Sequence, residues 1–530
     1  MNPTSEQEAF IQTLKEKRPC FLSARAGTGK TTTIRLGIEA LIESGVPAQE
    51  ISAIAFNKAN QEDLAKALPL AVKVSTLHSL GFAAVRRFLP RTTIANDKVF
   101  KILSSAGIRG KNSRDTFRDT LRLVSVAKSW GLVPLQAKAT STRWHQGLVP
   151  DTPAVWASLV EHFELWDASI EKARETLQES NLRALKGGEI DFDDMVYLPV
   201  ALGLKIIAPD YLIVDEAQDL SPLNLEMLKE VPSKIWYVGD PYQAIYGWRG
   251  AESRLIESLG LPVLPLTNCW RCSGAIISEA RKLVGDIQTD NPTGLPVRHL
   301  RSGEVDFLQE SPATILARRN AVLINLALQF RRGNKRVCIF GRDFVKALEG
   351  VLDKLKGTNS KALKESLFAW SAKMQAKFPH KTGEIQDYTK CLATVLSEVS
   401  GVQAAKKLLE ELFSDTPREG EWILSTIHKA KGKEFPRVWL LDWKKKGEQS
   451  WMKVEERNLE YVAITRAKDE LIRMPEPEGQ IDIEASLQQG QLIDIKTGEV
   501  GSFWTPQGQD LYSPSGELLS SPTRENGLWD

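Results

Sequence analysis

The stretch "SARAGTGKTTT", residues 23–33, decides how the first part of this chain folds. It ends like a phosphate-binding loop, whose pattern is G-x-x-x-x-G-K-[ST]. Gly27 and Gly29 allow the backbone to turn and to point successive N–H groups at phosphate oxygens. Lys30 can reach the β- and γ-phosphates of a nucleotide, and the Thr31 hydroxyl can bind Mg²⁺. These residue types at this spacing predict a nucleotide site.

The residues around this loop supply the strand and the helix that such a site requires. The apolar segment "PCFLSA" before it suits a buried strand, and "TTTIRLGIEALIESG" after it has apolar residues at helical spacing. The N-terminus of that helix favours bound anions. The first glycine of the pattern is replaced by Ala24, which needs only a compatible backbone angle. A chance glycine-rich turn is the alternative, and the strand–loop–helix order argues against it.

Composition limits the class of protein. A chain of 530 residues and 59.1 kDa is too long for one hydrophobic core and predicts several domains. Its net charge of +2 means that any nucleic-acid surface must be a local groove. "MNPTSEQEAF" lacks the apolar core of a signal peptide, and no apolar run reaches membrane-spanning length. We therefore expect a protein of the cytoplasm, or of the nucleus if the source is eukaryotic.

The five cysteines are scattered along the chain, which is typical of a reducing compartment. Cys269 and Cys272 form the C-x-x-C of "CWRC", but no second cysteine or histidine pair follows at zinc spacing. We therefore interpret this pair as incidental.

Two further predicted strands end in polar residues that suit a bound nucleotide and its Mg²⁺. In "DYLIVDEAQDLSPLNLEML" an apolar strand ends at Asp215 and Glu216. The first carboxylate can hold Mg²⁺ beside a phosphate loop, and the second can orient or deprotonate the attacking water. A solvated acidic turn is the alternative, and the buried strand argues against it. In "KIWYVGDPYQAIYGWRGAE" another strand precedes Gln243, which can sense a γ-phosphate, and Tyr246 and Trp248 follow in a turn.

Two more segments near the C-terminus carry candidate phosphate contacts. "WILSTIHKAKGKEFPRVWLLD" is typical of two apolar strands joined by a basic loop. "EERNLEYVAITRAKDELI" is typical of a helix, and it carries Arg466 among small residues. An arginine in such a place suits contact with a γ-phosphate. A surface salt bridge is the alternative role for this arginine.

Between residues 4 and 468 the following segments occur in order: "TSEQEAF", "ARAGTGKTT", "AIAFNKAN", "VSTLHSLGF", "DFDDMV", "VDEAQD", "GDPYQAIYGWRGA", "NCWRCS", "STIHKAKGKEF" and "YVAITRAK". Together they resemble the motifs of the UvrD/Rep-like superfamily 1 helicases, whereas the stretches between them match weakly. "AFNKAN" followed closely by "STLHSLGF" is most similar to the branch that includes the F-box DNA helicases, although no F-box is recognisable.

The resemblance implies an α/β fold class with two RecA-like P-loop NTPase domains, ATP between them, and a helical subdomain inserted in each. The expected segments are the first RecA-like domain at 1–88 and 190–280, its helical insertion at 89–189, the second RecA-like domain at 281–344 and 421–475, its short helical insertion at 345–420, and a C-terminal tail at 476–530.

The tail contains a weak internal echo between "GQLIDIKTGEV" and "GQDLYSPSGEL". Each copy suits a hairpin that turns at T-G or S-G, so the tail predicts a small β-module that could bind a protein partner. Disorder is the alternative for its last residues.

The resemblance also implies that the cofactors are ATP and Mg²⁺. Gln7 would read the adenine edge, although Thr4-x-x-Gln7 is also a helix-capping pattern. Trp270 would stack on adenine, and Glu434 would contact the ribose. The other implied residues are Ala26, Gly27, Thr28, Gly29, Lys30, Thr31 and Thr32 around the phosphates, Thr31 and Asp215 on Mg²⁺, Glu216 as the base, Gln243 as the γ-phosphate sensor, and Arg271 and Arg466 from the two sides of the cleft.

As partners, the resemblance implies single-stranded DNA and junctions between single and double strands. Each stack of a base on an aromatic side chain contributes about 1–3 kcal/mol. A structural role is the alternative for each histidine. The implied DNA-binding residues are Phe56, Tyr246 and Trp248 as stacking positions and Thr76, His78, Thr426 and His428 as contacts with the DNA backbone.

Several positions depart from the family pattern. Ala24 and Arg25 alter the first half of the phosphate loop, where the family usually has a small residue in place of Arg25. Contact with DNA, contact with phosphate and exposure to solvent are all open for that arginine. Lys433 replaces an apolar residue in "KGKEF", and Cys269 replaces the common asparagine. None of these changes removes a phosphate or metal ligand.

The acidic cluster of "DFDDMV" invites the interpretation of a metal nuclease. We reject it, because the family carries this motif for structural reasons and the chain lacks the remaining carboxylate–lysine set of the nuclease relatives.

Three functions are compatible with these motifs. The first is an ATP-dependent DNA helicase that moves 3′→5′ in replication, repair or recombination, a polarity that rests on the resemblance of "DEAQD" and "QAIYGWRGA" to that branch. The second is a translocase that displaces proteins from single strands with little unwinding, which the short second insertion would permit. The third is a nucleotide-gated binding module whose tail recruits partners, and the complete hydrolytic set argues against it.

Overall fold

The computed structural model describes most of the chain. The residues described are 3–107, 113–134, 148–163, 165–245, 255–301, 307, 309–377, 382–443 and 450–476, with four short strands further on. Helices and strands alternate through much of this length, which agrees with the predicted α/β class.

The helices are numbered in chain order. Within the described residues, none of them is long and apolar enough to cross a membrane. They are α1 Ser5–Lys15, α2 Lys30–Glu43, α3 Lys58–Ala67, α4 Leu77–Phe88, α5 Lys98–Ser105, α6 Ser113–Ser129, α7 Pro153–His162, α8 Ile170–Gly187, α9 Asp194–Ala201, α10 Pro222–Lys229, α11 Gly274–Arg281, α12 Asn320–Arg332, α13 Arg342–Leu352, α14 Ser360–Lys377, α15 Thr382–Glu398, α16 Val402–Leu412, α17 Ile427–Ala430 and α18 Ser450–Ile464.

The strands are numbered in the same way. They are β1 Phe21–Ala24, β2 Ile51–Ala55, β3 Lys73–Thr76, β4 Thr93–Ile94, β5 Glu189–Ile190, β6 Tyr211–Val214, β7 Lys234–Gly239, β8 Val263–Leu266, β9 Arg298–His299, β10 Thr314–Ala317, β11 Val337–Ile339, β12 Trp422–Thr426, β13 Phe435–Asp442, β14 Ala467–Pro475, β15 Gln491–Ile493, β16 Val500–Ser502, β17 Leu511–Tyr512 and β18 Leu518–Ser520.

The first part of the chain builds a parallel sheet in the order β3-β2-β6-β7-β1-β8. Strands β1 and β6 are buried along their whole length, as expected for parallel strands that are covered on both faces. Because all six strands run in one direction, their carboxyl ends lie along one edge of the sheet. The loops that follow β1, β6 and β7 are therefore neighbours in space although they are distant in sequence.

Successive residues of these strands enter two different hydrophobic cores, because side chains alternate between the faces of a sheet. Ile213 of β6 lies in one core together with Phe10 of α1. Its neighbours Leu212 and Val214 lie in the other core, together with Leu198 of α9. The sheet is thus covered on both faces, which leaves its edge of carboxyl ends as the place for polar chemistry.

A second set of strands contains the C-terminal motifs. β10 pairs in parallel with β12 and with β13, and β9 pairs in parallel with β14. The strand order in this part is β12-β10-β13-β14-β9. The end of β12 leads directly into the short helix α17, and α18 leads into β14.

The chain separates into two compact units. The first comprises Met1–Leu300, Ser311–Arg318 and Trp422–Met474, and it contains the sheet β3-β2-β6-β7-β1-β8 and the strands β12-β10-β13-β14-β9. The second comprises Arg301–Glu310, Arg319–Glu421 and Pro475–Asp530. The seven segments expected from the sequence are a finer division of the chain, and their boundaries stay predictions.

The second unit is mainly helical, with α12 to α16 and β11. Its helix α15 packs against both α12 and α14. Asp387 of α15 accepts hydrogen bonds from the N–H groups of Asn320 (3.2 Å) and Ala321 (2.9 Å), at the start of α12. A carboxylate there satisfies amides that have no partner within the helix. Further on, β15 pairs antiparallel with β16, and β17 with β18, in agreement with the two predicted hairpins.

Candidate nucleotide-binding site

The phosphate loop joins β1 to α2 and turns at its two glycines. Gly27 and Gly29 have φ angles of 70° and 84°, which side chains rarely allow. A Cβ atom on Gly27 would also lie 2.6 Å from Cβ of Arg271 and 2.7 Å from Sγ of Cys269. The loop therefore needs glycine at position 27 both for its backbone angle and for the close approach of the neighbouring segment.

Ala24, which replaces the first glycine of the pattern, is the last residue of β1. It is fully buried and lies opposite Leu266 of β8 in the parallel register. The next N–H, from Arg25, donates to the Leu266 carbonyl at 2.8 Å. Because position 24 belongs to an extended strand, it has no need of the backbone freedom of glycine.

Two other loop residues make contacts that sequence reasoning did not predict. The N–H of Ala26 donates to the hydroxyl of Tyr461 on α18 at 2.9 Å, so this amide is already paired. The Thr28 hydroxyl points inward and donates to the Arg25 carbonyl at 2.7 Å. Thr28 can therefore face a phosphate only through its backbone.

Catalytic candidates from two separate segments come together at the sheet edge. Asp215 and Glu216 follow β6, and the N–H of Glu216 donates to the Asp215 carboxylate at 2.9 Å. Nζ of Lys30 donates to Oε1 of Glu216 at 2.7 Å. Glu216 has a φ of 53°, a strained angle for a residue with a side chain, and such strain is frequent at functional sites.

The two carboxylates have opposite pKa shifts. Burial raises the pKa of Asp215 to about 6, against the lowering effect of Lys30. Burial acts on Glu216 in the same direction, but Lys30 and Lys431 outweigh it and bring the pKa of Glu216 to about 2. Burial would lower the pKa of Lys30, and the carboxylates of Glu216 and Asp215 raise it instead. Lys30 and Glu216 therefore form an ion pair across the neutral pH range.

A chain of hydrogen bonds joins Glu216 to the predicted phosphate sensor. The Gln218 amide donates to Oε2 of Glu216, and its Oε1 accepts from the N–H of Asp240 at 2.9 Å. Oδ2 of Asp240 accepts from Nε2 of Gln243 at 2.8 Å. Gly239 makes this contact possible, because a Cβ there would lie 2.3 Å from Oε1 of Gln218.

Lys431 is a residue of this site that sequence reasoning missed. Its Nζ donates to Oδ2 of Asp219 at 2.7 Å and to the Gln243 carbonyl at 2.9 Å. It thereby links the basic loop after β12 to the turns after β6 and β7. The available signal was its place in "HKAKGKEF", where three lysines follow closely on a predicted strand.

Gln7 does form the helix cap that was the alternative to its adenine role. Its Oε1 accepts from the N–H of Thr4 at 3.0 Å, and the Thr4 hydroxyl accepts from the N–H of Gln7 at 3.3 Å. Nε2 of Gln7 donates to the Thr33 hydroxyl of α2 at 3.1 Å. This places the amide beside the phosphate loop, and contact with adenine stays a prediction.

Trp270 is the exposed aromatic of this site. Trp270 is 56% exposed, and its backbone N–H donates to the Gly27 carbonyl at 2.9 Å. The flanking thiols of Cys269 and Cys272 are buried, and the N–H of Cys272 donates to Sγ of Cys269 at 3.4 Å. Within the described residues no group of three or more ligating side chains could hold a metal ion, so these two thiols are not part of such a cluster.

The two predicted arginines lie close to each other. The Arg271 guanidinium pairs with the Glu434 carboxylate at 2.6 Å, which joins the predicted phosphate contact to the predicted ribose contact. Arg466 is buried and donates to the carbonyls of Val462 (3.0 Å) and Lys433 (3.1 Å). Burial, together with the nearby cation of Arg271, lowers the pKa of Arg466 to about 10, so it is still charged at neutral pH.

The donors available for Mg²⁺ are oxygens, the atoms this ion prefers. Thr31 and Thr32 have exposed side chains in the first turn of α2, and the Asp215 carboxylate is half-buried at the end of β6. This set fits an ion that takes one or two protein ligands and completes its shell with water and substrate phosphates.

The predicted DNA contacts of the first sheet lie at the ends of neighbouring strands. Phe56 follows β2, and Thr76 ends β3, where it lies opposite Ala55 in the register. The Thr76 hydroxyl accepts from the N–H of Ser79 at 3.2 Å and caps α4. Phe56 therefore follows the residue that lies opposite Thr76, and contact of either residue with DNA stays a prediction.

His78 of α4 stacks on Phe192, with ring centroids 4.1 Å apart and an interplanar angle of 22°. The Phe192 side chain is 54% exposed, which is unusual for a large aromatic residue. Sequence reasoning missed Phe192, although an aromatic residue within the acidic segment "DFDD" was a usable signal.

The predicted DNA contacts of the second sheet are Thr426 and His428, at the end of β12. The Thr426 hydroxyl accepts from the N–H of Lys429 at 3.4 Å and caps α17. Burial lowers the pKa of His428 to about 3, so the imidazole is neutral at physiological pH and can contact DNA only as a neutral group. Tyr246 and Trp248 lie outside the described residues.

Two buried lysines compensate the charge of the acidic cluster in "DFDD". Lys128 contacts Asp191 at 2.6 Å and Asp194 at 2.8 Å, and Lys98 also pairs with Asp194. All four side chains are almost fully buried. Two lysines therefore occupy the place that a catalytic metal would need, which supports the rejection of a nuclease site.

Two family models match the chain. Residues 3–261 match the UvrD/REP helicase N-terminal domain, and residues 320–474 match the UvrD-like helicase C-terminal domain. Domains of this kind are RecA-like P-loop domains, which confirms the predicted fold class.

Individual relatives agree with these models. The chain is similar to F-box DNA helicase protein 1 of Schizosaccharomyces pombe, with 26% identity over 88% of this chain and 57% of that protein. It is also similar to the ATP-dependent DNA helicases Rep of Buchnera aphidicola subsp. Baizongia pistaciae, with 29% identity over 51% of this chain and 41% of that protein, and of Escherichia coli, with 26% identity over 54% and 43%. The chain thus spans about half the length of the curated relatives it matches.

Proposed function

The chain belongs to the UvrD/Rep-like helicase family, and from this premise we propose that it is an ATP-dependent DNA helicase that moves 3′→5′ on single-stranded DNA and unwinds duplex. The observation that carries the proposal is the assembly of Lys30, Glu216 and Gln243 around the phosphate loop through hydrogen bonds of 2.7 to 2.9 Å and the Gln218 bridge. A module that only binds nucleotide has no use for a base joined to a phosphate sensor.

Hydrolysis in this proposal begins with a change of partner for Lys30. Bound ATP offers phosphate oxygens to Lys30, which then leaves Glu216. Without that cation beside it, the carboxylate of Glu216 becomes more basic and accepts a proton from the attacking water. The starting pKa of about 2 therefore describes a base that is held inactive until nucleotide arrives.

The remaining residues would stabilise the reacting phosphate. Gln243 accepts a hydrogen bond from the attacking water, and Arg271 and Arg466 balance the charge that develops on the γ-phosphate. To do so, Arg466 must release the backbone carbonyls that it now contacts. Trp270 is free to stack on adenine because its side chain is exposed beside the loop.

Thr31 and Asp215 would hold Mg²⁺. When bound, the ion supplies positive charge to the β- and γ-phosphate oxygens. The Asp215 pKa of about 6 means that this carboxylate is largely ionised, and so able to bind a cation, at neutral pH and above.

The proposed DNA surface combines positions from both sheets. Phe56, His78 and Phe192 lie on the side of the first sheet, and Thr426 and His428 lie at the end of β12. Tyr246 and Trp248 would complete it, because their segment continues directly from Gln243. The same turn would then contact phosphate and DNA, which couples hydrolysis to movement.

The cellular setting is also a proposal. All five cysteines are free and buried, which suits a reducing compartment that contains DNA, namely the cytoplasm or the nucleus. Replication, repair or recombination would supply single strands and junctions, and the hairpins of the tail could bind a protein partner.

A strand-displacement assay tests the proposal. Duplexes with a 3′ tail or a 5′ tail are incubated with the protein, ATP and Mg²⁺, and the released strand is measured over time. We expect release from the 3′-tailed duplex and much less from the 5′-tailed one. Release from the 5′-tailed duplex alone would contradict the polarity, and ATPase activity indifferent to single strands would contradict the motor itself.

The alternative function of protein displacement is distinguished in the same experiment. The short segment 345–420 favours it, because that segment contains only α14 to α16 and part of α13 among its described helices. A biotinylated single strand carrying streptavidin replaces the duplex. ATP-dependent removal of streptavidin without strand release would identify a translocase with little unwinding activity.

A further inference from the structure

Arg25 is a buried cation inside the phosphate loop. Arg25 is only 6% exposed. From the sequence alone, contact with DNA, contact with phosphate and exposure to solvent were all open for this side chain. An arginine cannot lose its charge in a protein, so a buried one requires partners.

The guanidinium has two acidic partners. Its Nε and Nη2 atoms donate to the two carboxylate oxygens of Asp286 at 2.8 and 2.6 Å, a fork-like pair that fixes orientation. Nη1 donates to the Ser23 hydroxyl at 2.9 Å and lies 3.7 Å from Oδ1 of Asp240. The Tyr242 ring lies 4.8 Å from the guanidinium carbon. Arg25 thus spans from an exposed carboxylate to a fully buried one.

Of the two acidic partners, Asp240 is the one that also contacts Gln243, the proposed phosphate sensor. It is fully buried, and burial raises the pKa of its carboxyl group; the foremost group that opposes this rise is Arg25. Its carboxylate accepts from Nε2 of Gln243 at 2.8 Å and from the N–H of Tyr242 at 3.2 Å. Protonation of Asp240 would turn one of these oxygens into a donor and a poorer acceptor, which would weaken one of the two bonds.

The ionised form of Asp240 therefore favours the orientation of the Gln243 amide in which its N–H group faces the carboxylate. While Asp240 accepts the N–H of the amide, the carbonyl oxygen Oε1 of Gln243 is directed away from it and can accept a hydrogen bond from water. The charged and titratable groups around Asp240 are Arg25 from the loop, Lys30 from α2 and Tyr461 from α18, and the hydrogen-bonding amides are those of Gln218 and Gln243.

We infer that Arg25 is a positioning residue for hydrolysis: it keeps Asp240 ionised and thereby holds the Gln243 amide with its carbonyl oxygen free for the attacking water. This inference rests on the proposed function, because it gives Gln243 the sensor role. It differs from a purely structural tie between the loop and Asp286, which would stabilise the fold without acting on Gln243.

The test compares Arg25→Met with Arg25→Lys in the full chain. We measure kcat and KM for single-strand-stimulated ATP hydrolysis from about pH 5.5 to about pH 9. Arg25→Met should lower kcat about tenfold at neutral pH with a KM change below about twofold. Its acid limb should move to higher pH, because Asp240 without its cation takes up a proton more readily. Arg25→Lys should restore much of both properties.

A double variant distinguishes an effect of Arg25 on Gln243 from a purely structural role of Arg25. Arg25→Met combined with Gln243→Ala should be little slower than Gln243→Ala alone, because in this inference Arg25 acts only through the Gln243 amide. Losses that multiply, or an acid limb that stays in place, would overturn the inference even if the melting temperature falls.

If Arg25→Met does not fold, Asp286→Asn serves instead. It leaves Arg25 in place with a weaker outer anchor, and it should lower kcat by about two- to threefold with the same direction of change in the pH profile. An unaltered kcat would count against the inference. A wild-type protein without any ATPase activity would contradict the proposed function, whereas an active wild type with an equally active Arg25→Met would contradict only this inference.

Discussion

Two clusters of lysines and carboxylates lie in the first unit, and they differ in how completely they are buried. In the "DFDD" cluster, Lys128 and Lys98 pair with Asp194 at 1% exposure or less for each side chain. In the nucleotide site, Lys30 and Glu216 form a similar contact, but their side chains are 16% and 18% exposed. The residue types are the same, and access to solvent and ligand is what separates them.

The difference in burial decides whether the lysine of each ion pair can change to another partner. A fully buried pair has no alternative partner, so breaking it leaves a charge without compensation. A half-buried lysine beside a phosphate loop has an alternative partner whenever nucleotide is present. We therefore expect one cluster to control folding and the other to control turnover, and each of the following experiments tests that separation.

The largest effect is expected from Glu216→Gln. The amide cannot accept a proton, so single-strand-stimulated turnover should fall about 100- to 10,000-fold, the usual contribution of a general base. ATP binding, measured by titration with a fluorescent analogue, should persist. Glu226→Gln is the matched control, because Glu226 forms only a surface pair with Lys229. Turnover at the wild-type rate in Glu216→Gln would show that the base is another residue.

A comparable free energy is expected from Lys128→Met, but as a loss of folding stability. Removing this cation leaves Asp191 and Asp194 buried with too little compensation, which should cost about 3–5 kcal/mol in denaturant unfolding. Turnover per folded molecule should change little. Lys101→Met serves as the control, since Lys101 forms an exposed pair with Asp97. If Lys128→Met has the unfolding free energy of the wild type but hydrolyses ATP slowly, the proposed separation between the two clusters is wrong.

The smallest effect is expected from Phe192→Ala, at the exposed margin of the "DFDD" segment. If Phe192 stacks on a base, the variant should lose about 1–3 kcal/mol of affinity for single strands, or about 5- to 150-fold. Fluorescence anisotropy with a labelled oligonucleotide measures this loss. Phe100→Ala is the control, because Phe100 of α5 is similarly exposed at 51% and packs on Phe117. Equal losses in both variants would argue against a specific stack.

Much of the site could be predicted because its parts are local patterns. The loop at Gly27 and Gly29, the carboxylates at the end of β6 and the glutamine after β7 each follow a strand recognisable from the sequence. Parallel strands then bring these segments to one edge of a sheet, so that the distance between them in the chain does not matter. Trp270 also lies beside the loop, and its contact with adenine stays a prediction.

The phosphate loop, the α/β class and the candidate catalytic residues follow from short-range spacing and backbone geometry, and so they could be predicted from local patterns. The pairing of distant charges, in contrast, depends on how the whole chain folds. Arg25 pairs with Asp286, 261 residues away, and Lys128 pairs with Asp191. Nothing in the local pattern of a buried cation names its partner, because the desolvation cost that demands one can be met by any carboxylate that the fold brings within reach.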